Sequence, residues 1–271
     1  MKFDMGRAWN EATALVGANK ELLAALAGIF VFLPNLALAL LVPEMMTGPA
    51  NVDPENPAAA VQAFYTENGV WFGLLAIVQW AGTLCMFALL NDRRPTVGEA
   101  MRAGLIALIP YLASQVIVML ALAIVLGLPV GLAFGAGSVA AGVLIALVAV
   151  VAFIYVMVKL SLVGPEMVIG GNLNPITALR NSWVLTKGNS LRLFAFYLLL
   201  GIGVAVVAMV IGLVSGLFVA MLGQNAAGLI VGGLLNGLLA AIWTVLMVCV
   251  LAAAYKQLAG PSTAAYESTF E

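Results

Sequence analysis

Apolar residues run along this chain in long unbroken stretches, and the polar residues are confined to the gaps between them. A helix rises ~1.5 Å per residue, so about 20 apolar residues cross the hydrocarbon of a bilayer. Six stretches meet that length: Leu22–Val42, Val70–Leu90, Ala103–Leu126, Ala140–Leu162, Leu193–Leu222 and Ala227–Ala252. The pattern predicts an all-α polytopic membrane protein, a single six-helix domain over residues 1–271 with short amphipathic helices at the interface. Between the third and fourth stretches, Gly127, Pro129, Gly131, Gly135 and Gly137 predict a loop or hairpin. The fifth stretch is long and is expected to tilt or to run past the interface.

Three polar-flanked segments precede the first, third and fifth spans, and each reads as a short helix along the membrane surface. In the first, Met5, Ala8, Trp9, Ala12 and Val16 recur at helical spacing, with Arg7, Asn10 and Glu11 elsewhere on the wheel. In the second, Thr96-x-x-Glu99 is a capping box. In the third, Asn174-Pro175 supplies an N-cap and an N1 proline, and Lys187-Gly188-Asn189 closes the helix. At ~1.5 Å per residue this 175–189 helix reaches only about 22 Å, too short to span. Ile176, Leu179 and Trp183 form its apolar face, bordered by Arg180 and Lys187, while Ala178 and Leu185 point elsewhere and are expected to pack on the bundle. Trp183, Arg180 and Lys187 are therefore the candidate lipid-contacting residues. Ala8, Leu15 and Asn19 match Ala178, Leu185 and Asn189 at a constant offset, and Ala100-Met101-Arg102 is similar to Ala178-Leu179-Arg180. Both an internal repeat and coincidence in an Ala/Leu-rich chain accommodate those matches.

Composition sharpens the class: 64% of residues are hydrophobic, 8% are charged, and the mean hydropathy is +1.12, too little charge to cover a soluble domain. Eleven basic against twelve acidic residues give no footprint for a nucleic-acid partner. The placement of charge is more informative. Every Lys and Arg lies in the N-terminal segment, the 91–102 loop, the 159–192 region or the C-terminal end, and segments 43–69, 127–139 and 223–226 have none. The positive-inside rule then places both termini in the cytoplasm. Residues 1–21 are charged and lack an apolar h-region, so no cleavable signal peptide is expected.

The inventory for chemistry is sparse. Histidine is absent, which removes His-based triads and metal sites. The six apolar stretches hold no Asp, Glu or Arg, and Lys159, near the end of the fourth, is expected to snorkel to the interface. Glu44, Asp53, Glu55 and Glu67 in the 43–69 segment read as either a solvated acidic loop or a divalent-cation site. Cys85 and Cys249 lie in apolar runs and read as small apolar side chains. Asn35, Gln79, Ser114, Gln115 and Asn236 sit well inside the spans, as interhelical hydrogen-bonding groups or as a polar track. Gly212-x-x-x-Gly216, Gly228-x-x-x-Gly232 and Gly233-x-x-x-Gly237 mark close helix packing, within the chain or between subunits.

The passage at residues 164–197 is the most distinctive: Pro165-Glu166, then Ala178-Leu179-x-x-Ser182-Trp183-x-Leu185-Thr186-Lys187-Gly188-Asn189, with Tyr255-Lys256-Gln257-Leu258 after the last span. It resembles YciC-like bacterial inner-membrane proteins and the membrane domain fused ahead of glycerophosphoryl diester phosphodiesterases. The resemblance implies a six-span domain of the bacterial inner membrane. It does not imply phosphodiesterase activity, because the catalytic part of those enzymes is a separate soluble barrel with active-site histidines. The expectation is a non-catalytic protein without cofactor or metal, acting through membrane lipids, envelope maintenance, a partner protein or its own oligomer. A channel or transporter for a lipid or uncharged solute is the alternative, and a membrane-embedded enzyme has the least support.

Overall fold

A computed structural model describes residues 2–42, 48, 57–91, 95–222 and 226–260. Its elements are α1 (Met5–Leu41), α2 (Pro57–Glu67), α3 (Gly69–Leu89), α4 (Val97–Gly135), α5 (Val139–Leu160), α6 (Val163–Val168), α7 (Pro175–Leu185), α8 (Ser190–Leu222) and α9 (Ala226–Ala259). Six helices are long and apolar enough to cross a membrane, and no strand occurs among the described residues. The protein is thus an all-α polytopic membrane protein, as the apolar stretches predict.

The helices are longer than the apolar stretches because the surface segments join the spans. α1 begins with the amphipathic turns at Met5 and passes through a kink at Asn19, where φ is −125° and ψ is 17°. α4 starts at the Thr96–Glu99 capping box, with the Glu99 carboxylate accepting from the Thr96 N–H at 2.8 Å. It then runs through Pro110 to Gly135, 39 residues in all. Of the loop or hairpin expected from Gly127 onward, the structure has a helical hairpin: residues 128–135 are helix and the turn falls at 136–138, where Gly137 takes φ 76°.

Two of the mid-span prolines show how these helices continue. Pro34 and Pro129 each stand just after a π turn, Gly28–Phe32 and Ala123–Gly127 respectively. A proline ring cannot donate an N–H and clashes with the carbonyl four residues earlier. One wider turn removes that clash while keeping the neighbouring backbone groups bonded, which hydrocarbon demands. The π turn in α1 also aims two rings at glycines. An added Cβ on Gly82 of α3 would collide with Phe30, and one on Gly237 of α9 would meet Phe32 at 3.1 Å.

α1, α3 and α9 form the centre of the bundle, with Leu23, Leu26, Val31, Leu84, Met86, Phe87, Val248 and Val250 fully enclosed. α4 packs along α3, α8 along α9, and α5 returns beside the far half of α4. Gly233 and Gly237 supply the close approach of α9 to α1, whereas Gly212 and Gly216 on α8 face open space. Cys85 and Cys249 are free and buried.

Each surface segment buries a pair of small residues four apart: Ala8 and Ala12, Ala100 and Gly104, Ala178 and Ser182. The same pattern thus recurs ahead of three pairs of spans. The first and third meet near the end of α9. Phe3 N–H donates to Asn189 Oδ1 at 2.8 Å, Asp4 N–H to Gln257 Oε1 at 3.3 Å, and Arg192 Nη1 to the Phe3 carbonyl at 3.4 Å.

Candidate functional site

The polar side chains of the described membrane region concentrate around α7. Asn174 caps it, accepting from the Ile176 and Thr177 N–H groups at 3.0 and 3.1 Å, and Gly188, at φ 80°, ends the following turn. One side of α7 is fastened to the end of α5. Ser182 Oγ donates to the Lys159 carbonyl at 2.8 Å, and Thr186 Oγ1 donates to the Ser182 carbonyl at 2.9 Å. The Ser182 contact satisfies a carbonyl that the end of α5 leaves orphaned.

The opposite side of α7 carries Ile176, Arg180, Trp183, Val184 and Lys187, all exposed and at positions i, i+4, i+7, i+8 and i+11. This corrects the apolar face read from the sequence. Leu179 packs on Val163, Met167 and Ala178 instead, and Val184 takes its place outside. Ala178 and Leu185 do pack on the bundle. Trp183 and Trp9 are outward-facing indoles on the segments at this end, and Trp71 is exposed at the start of α3 toward the other, the placement of an interfacial aromatic belt.

Lys159 does not snorkel. Its residue is 2% exposed, and its Nζ lies 5.7 Å from the Tyr155 ring centroid and 5.4 Å from that of Trp183. The two rings meet edge to face at 5.9 Å. The Lys159 ammonium donates to the Trp183 carbonyl at 3.5 Å, a long contact, and no carboxylate lies within ion-pair distance among the described residues. Beside it, a groove of about 640 Å³ opens between α5 and α8, with Val151, Ile154 and Val158 on one wall and Leu191 and Phe194 on the other. Lys159, Lys187 and Ser190 lie at its polar end.

A second cluster lies behind α7. Glu166 is 7% exposed, and its carboxylate accepts from Asn181 Nδ2 at 2.6 Å, Tyr255 OH at 2.9 Å and Asn172 Nδ2 at 3.4 Å. The sequence reading ended the fourth span at Leu162 and so placed Glu166 outside. A lone acid amid Leu162–Ile169 was the available signal, since buried acids in such surroundings need partners. These donors tie α6, α7 and the end of α9 together, in a chain whose most distinctive sequence passage is this one.

The mid-span amides are dispersed. Asn35 and Asn236 donate to the carbonyls of Val31 and Gly232 on their own helices, at 2.7 and 2.9 Å. Gln79 and Gln115 are half-buried on the neighbouring helices α3 and α4, and Ser114 donates to the Tyr111 carbonyl at 2.7 Å. Of the acidic candidates, Glu67 ends α2, and Glu44, Asp53 and Glu55 lie outside the described residues. No group of three or more His, Cys, Asp or Glu side chains placed to hold a metal occurs among the described residues.

This arrangement defines a helical multi-pass membrane protein with a cationic, aromatic-lined groove at one end. The chain belongs to the family described as "Domain of unknown function (DUF7847)", whose sequence profile matches residues 21–258. No curated protein and no solved structure matches it.

Proposed function

We propose that this chain is a non-catalytic protein of the bacterial inner membrane, similar in kind to YciC-like proteins, that works through lipids at its cytoplasmic end. The observation that carries the reading is the outer face of α7, where Arg180 and Lys187 flank the exposed Ile176, Trp183 and Val184. Basic groups beside an indole and aliphatic side chains suit the junction of phosphates and acyl chains. Replacing Arg180 and Lys187 with Gln is expected to weaken anionic-lipid association by about 1 kcal/mol per charge while leaving insertion intact. Lipid retention in native mass spectrometry at matched folding measures this, and unchanged retention in the double variant would remove the reading.

The orientation has its own test. Single cysteines at Ala50, Thr96 and Ser262, in a background lacking Cys85 and Cys249, report sidedness to an impermeant maleimide. Ala50 is expected to label from the periplasm, and Thr96 and Ser262 only after the membrane is opened, because Lys and Arg collect on their side. Periplasmic labelling of Thr96 or Ser262 would invert the topology.

A further inference from the structure

We propose that the groove between α5 and α8 is a binding site for one anionic phospholipid, with its phosphate between Lys159 and Lys187 and one acyl chain along Val151, Ile154, Val158, Leu191 and Phe194. The inference rests on the reading of this end as lipid-facing and deepens it from a surface to a defined site.

Three observations support the headgroup. Lys159 is enclosed yet has one long hydrogen bond and three protons to donate. Lys187, exposed at the rim, lines the same groove and acts on the enclosed Lys159 electrostatically, so two like charges meet there without a counter-ion among the described residues. Ser190 opens the first turn of the 33-residue α8 at the same spot and adds the positive end of the helix dipole. A phosphate there resolves the repulsion and receives charge-assisted hydrogen bonds from both ammonium groups. The rings of Tyr155 and Trp183 hold the Lys159 ammonium, so the cation is placed before the ligand arrives.

The apolar walls select a lipid over a free anion. Val151 lies two turns deeper than Lys159 along α5, about 12 Å at helical rise, and every groove wall between them is aliphatic or aromatic. A small phosphate has no use for that slot. Val151 and Leu191 are 69% and 79% exposed, so the slot opens sideways to the acyl chains rather than into the protein.

The test is native mass spectrometry of the full chain, titrated with dioleoyl phosphatidylglycerol, dioleoyl phosphatidylcholine or inorganic phosphate. The unmodified protein is expected to take one phosphatidylglycerol about tenfold more tightly than phosphatidylcholine. Lys159→Met is expected to abolish that preference, and Arg180→Gln, which lies outside the groove, to retain the single site. Val151→Trp blocks the slot from an exposed position, so it answers the question even if Lys159→Met does not fold, and it is expected to lose the bound lipid. Retention of the preference in Lys159→Met, or of the lipid in Val151→Trp, would overturn the site. Competition by inorganic phosphate at concentrations equal to the lipid would show that the occupant is a free anion instead. If anionic-lipid retention depends on Arg180 and Lys187 while Lys159→Met still prefers phosphatidylglycerol, the site alone fails; if neither dependence exists, the lipid reading fails with it.

Discussion

Replacing Glu166 with Ala is expected to destabilise the protein by about 3 kcal/mol or more, the largest loss for a single polar side chain in the chain. The carboxylate accepts from Asn181, Tyr255 and Asn172, and its residue is 7% exposed. Its removal leaves the enclosed Tyr255 hydroxyl and two half-buried amides without that acceptor, and an enclosed donor left so costs about 1–3 kcal/mol. Glu166→Gln keeps one acceptor oxygen but turns an amide toward a donor, so it is expected to lose about half as much. Thermal melting in detergent measures both, with a fall of more than about 5 °C for the alanine variant. The physical cause is separable from simple loss of contact. Glu166→Leu combined with Tyr255→Phe removes donor and acceptor together and is expected to be less harmful than the sum of the single changes. An unaltered melting temperature in Glu166→Ala would show that the cluster contributes nothing.

Gly104→Ala is the second large effect, with an expected cost of about 1–3 kcal/mol. An added Cβ would lie 2.5 Å from the Cys85 backbone nitrogen and 2.7 Å from its Cα. Backbone cannot swing aside as a side chain does, so α3 and α4 must separate along their shared seam. The comparison is Gly212→Ala, where an added Cβ meets nothing within 4 Å. There the better helix propensity of alanine is expected to leave stability unchanged or raised by up to about 1 kcal/mol. The two substitutions are chemically identical and opposite in sign. Equal melting temperatures would refute the packing assigned to Gly104.

What the sequence reveals here is what local chemistry decides. Uninterrupted apolar length announces a span, so all six appear in the chain, and the Thr96–Glu99 box and the Asn174 cap are set by residues within three positions of one another. Three features depend on distant partners or on context and escape such reading. The stretch after Gly127 looks like a loop because glycine and proline break helices in water, whereas hydrocarbon makes an open backbone costlier than one π turn. The inward side of Leu179 is settled by Val163 and Met167 rather than by spacing on its own helix. Lys159 lies near a helix end, where lysines usually reach outward, but the Tyr155 and Trp183 rings enclose it. The same limit applied to Glu166, whose hydroxyl partner comes from Tyr255, 89 residues further along.

The contacts of the N-terminal segment also constrain biogenesis. Phe3 bonds to Asn189 and Asp4 to Gln257, across 186 and 253 residues of chain. During synthesis the first helix is therefore in place long before either partner exists. Its segment waits at the membrane surface with those backbone N–H groups served by water or headgroups. Only when Gln257 leaves the translation machinery can Asp4 be fastened, so the end of α9 acts as the catch on the segment that opens α1.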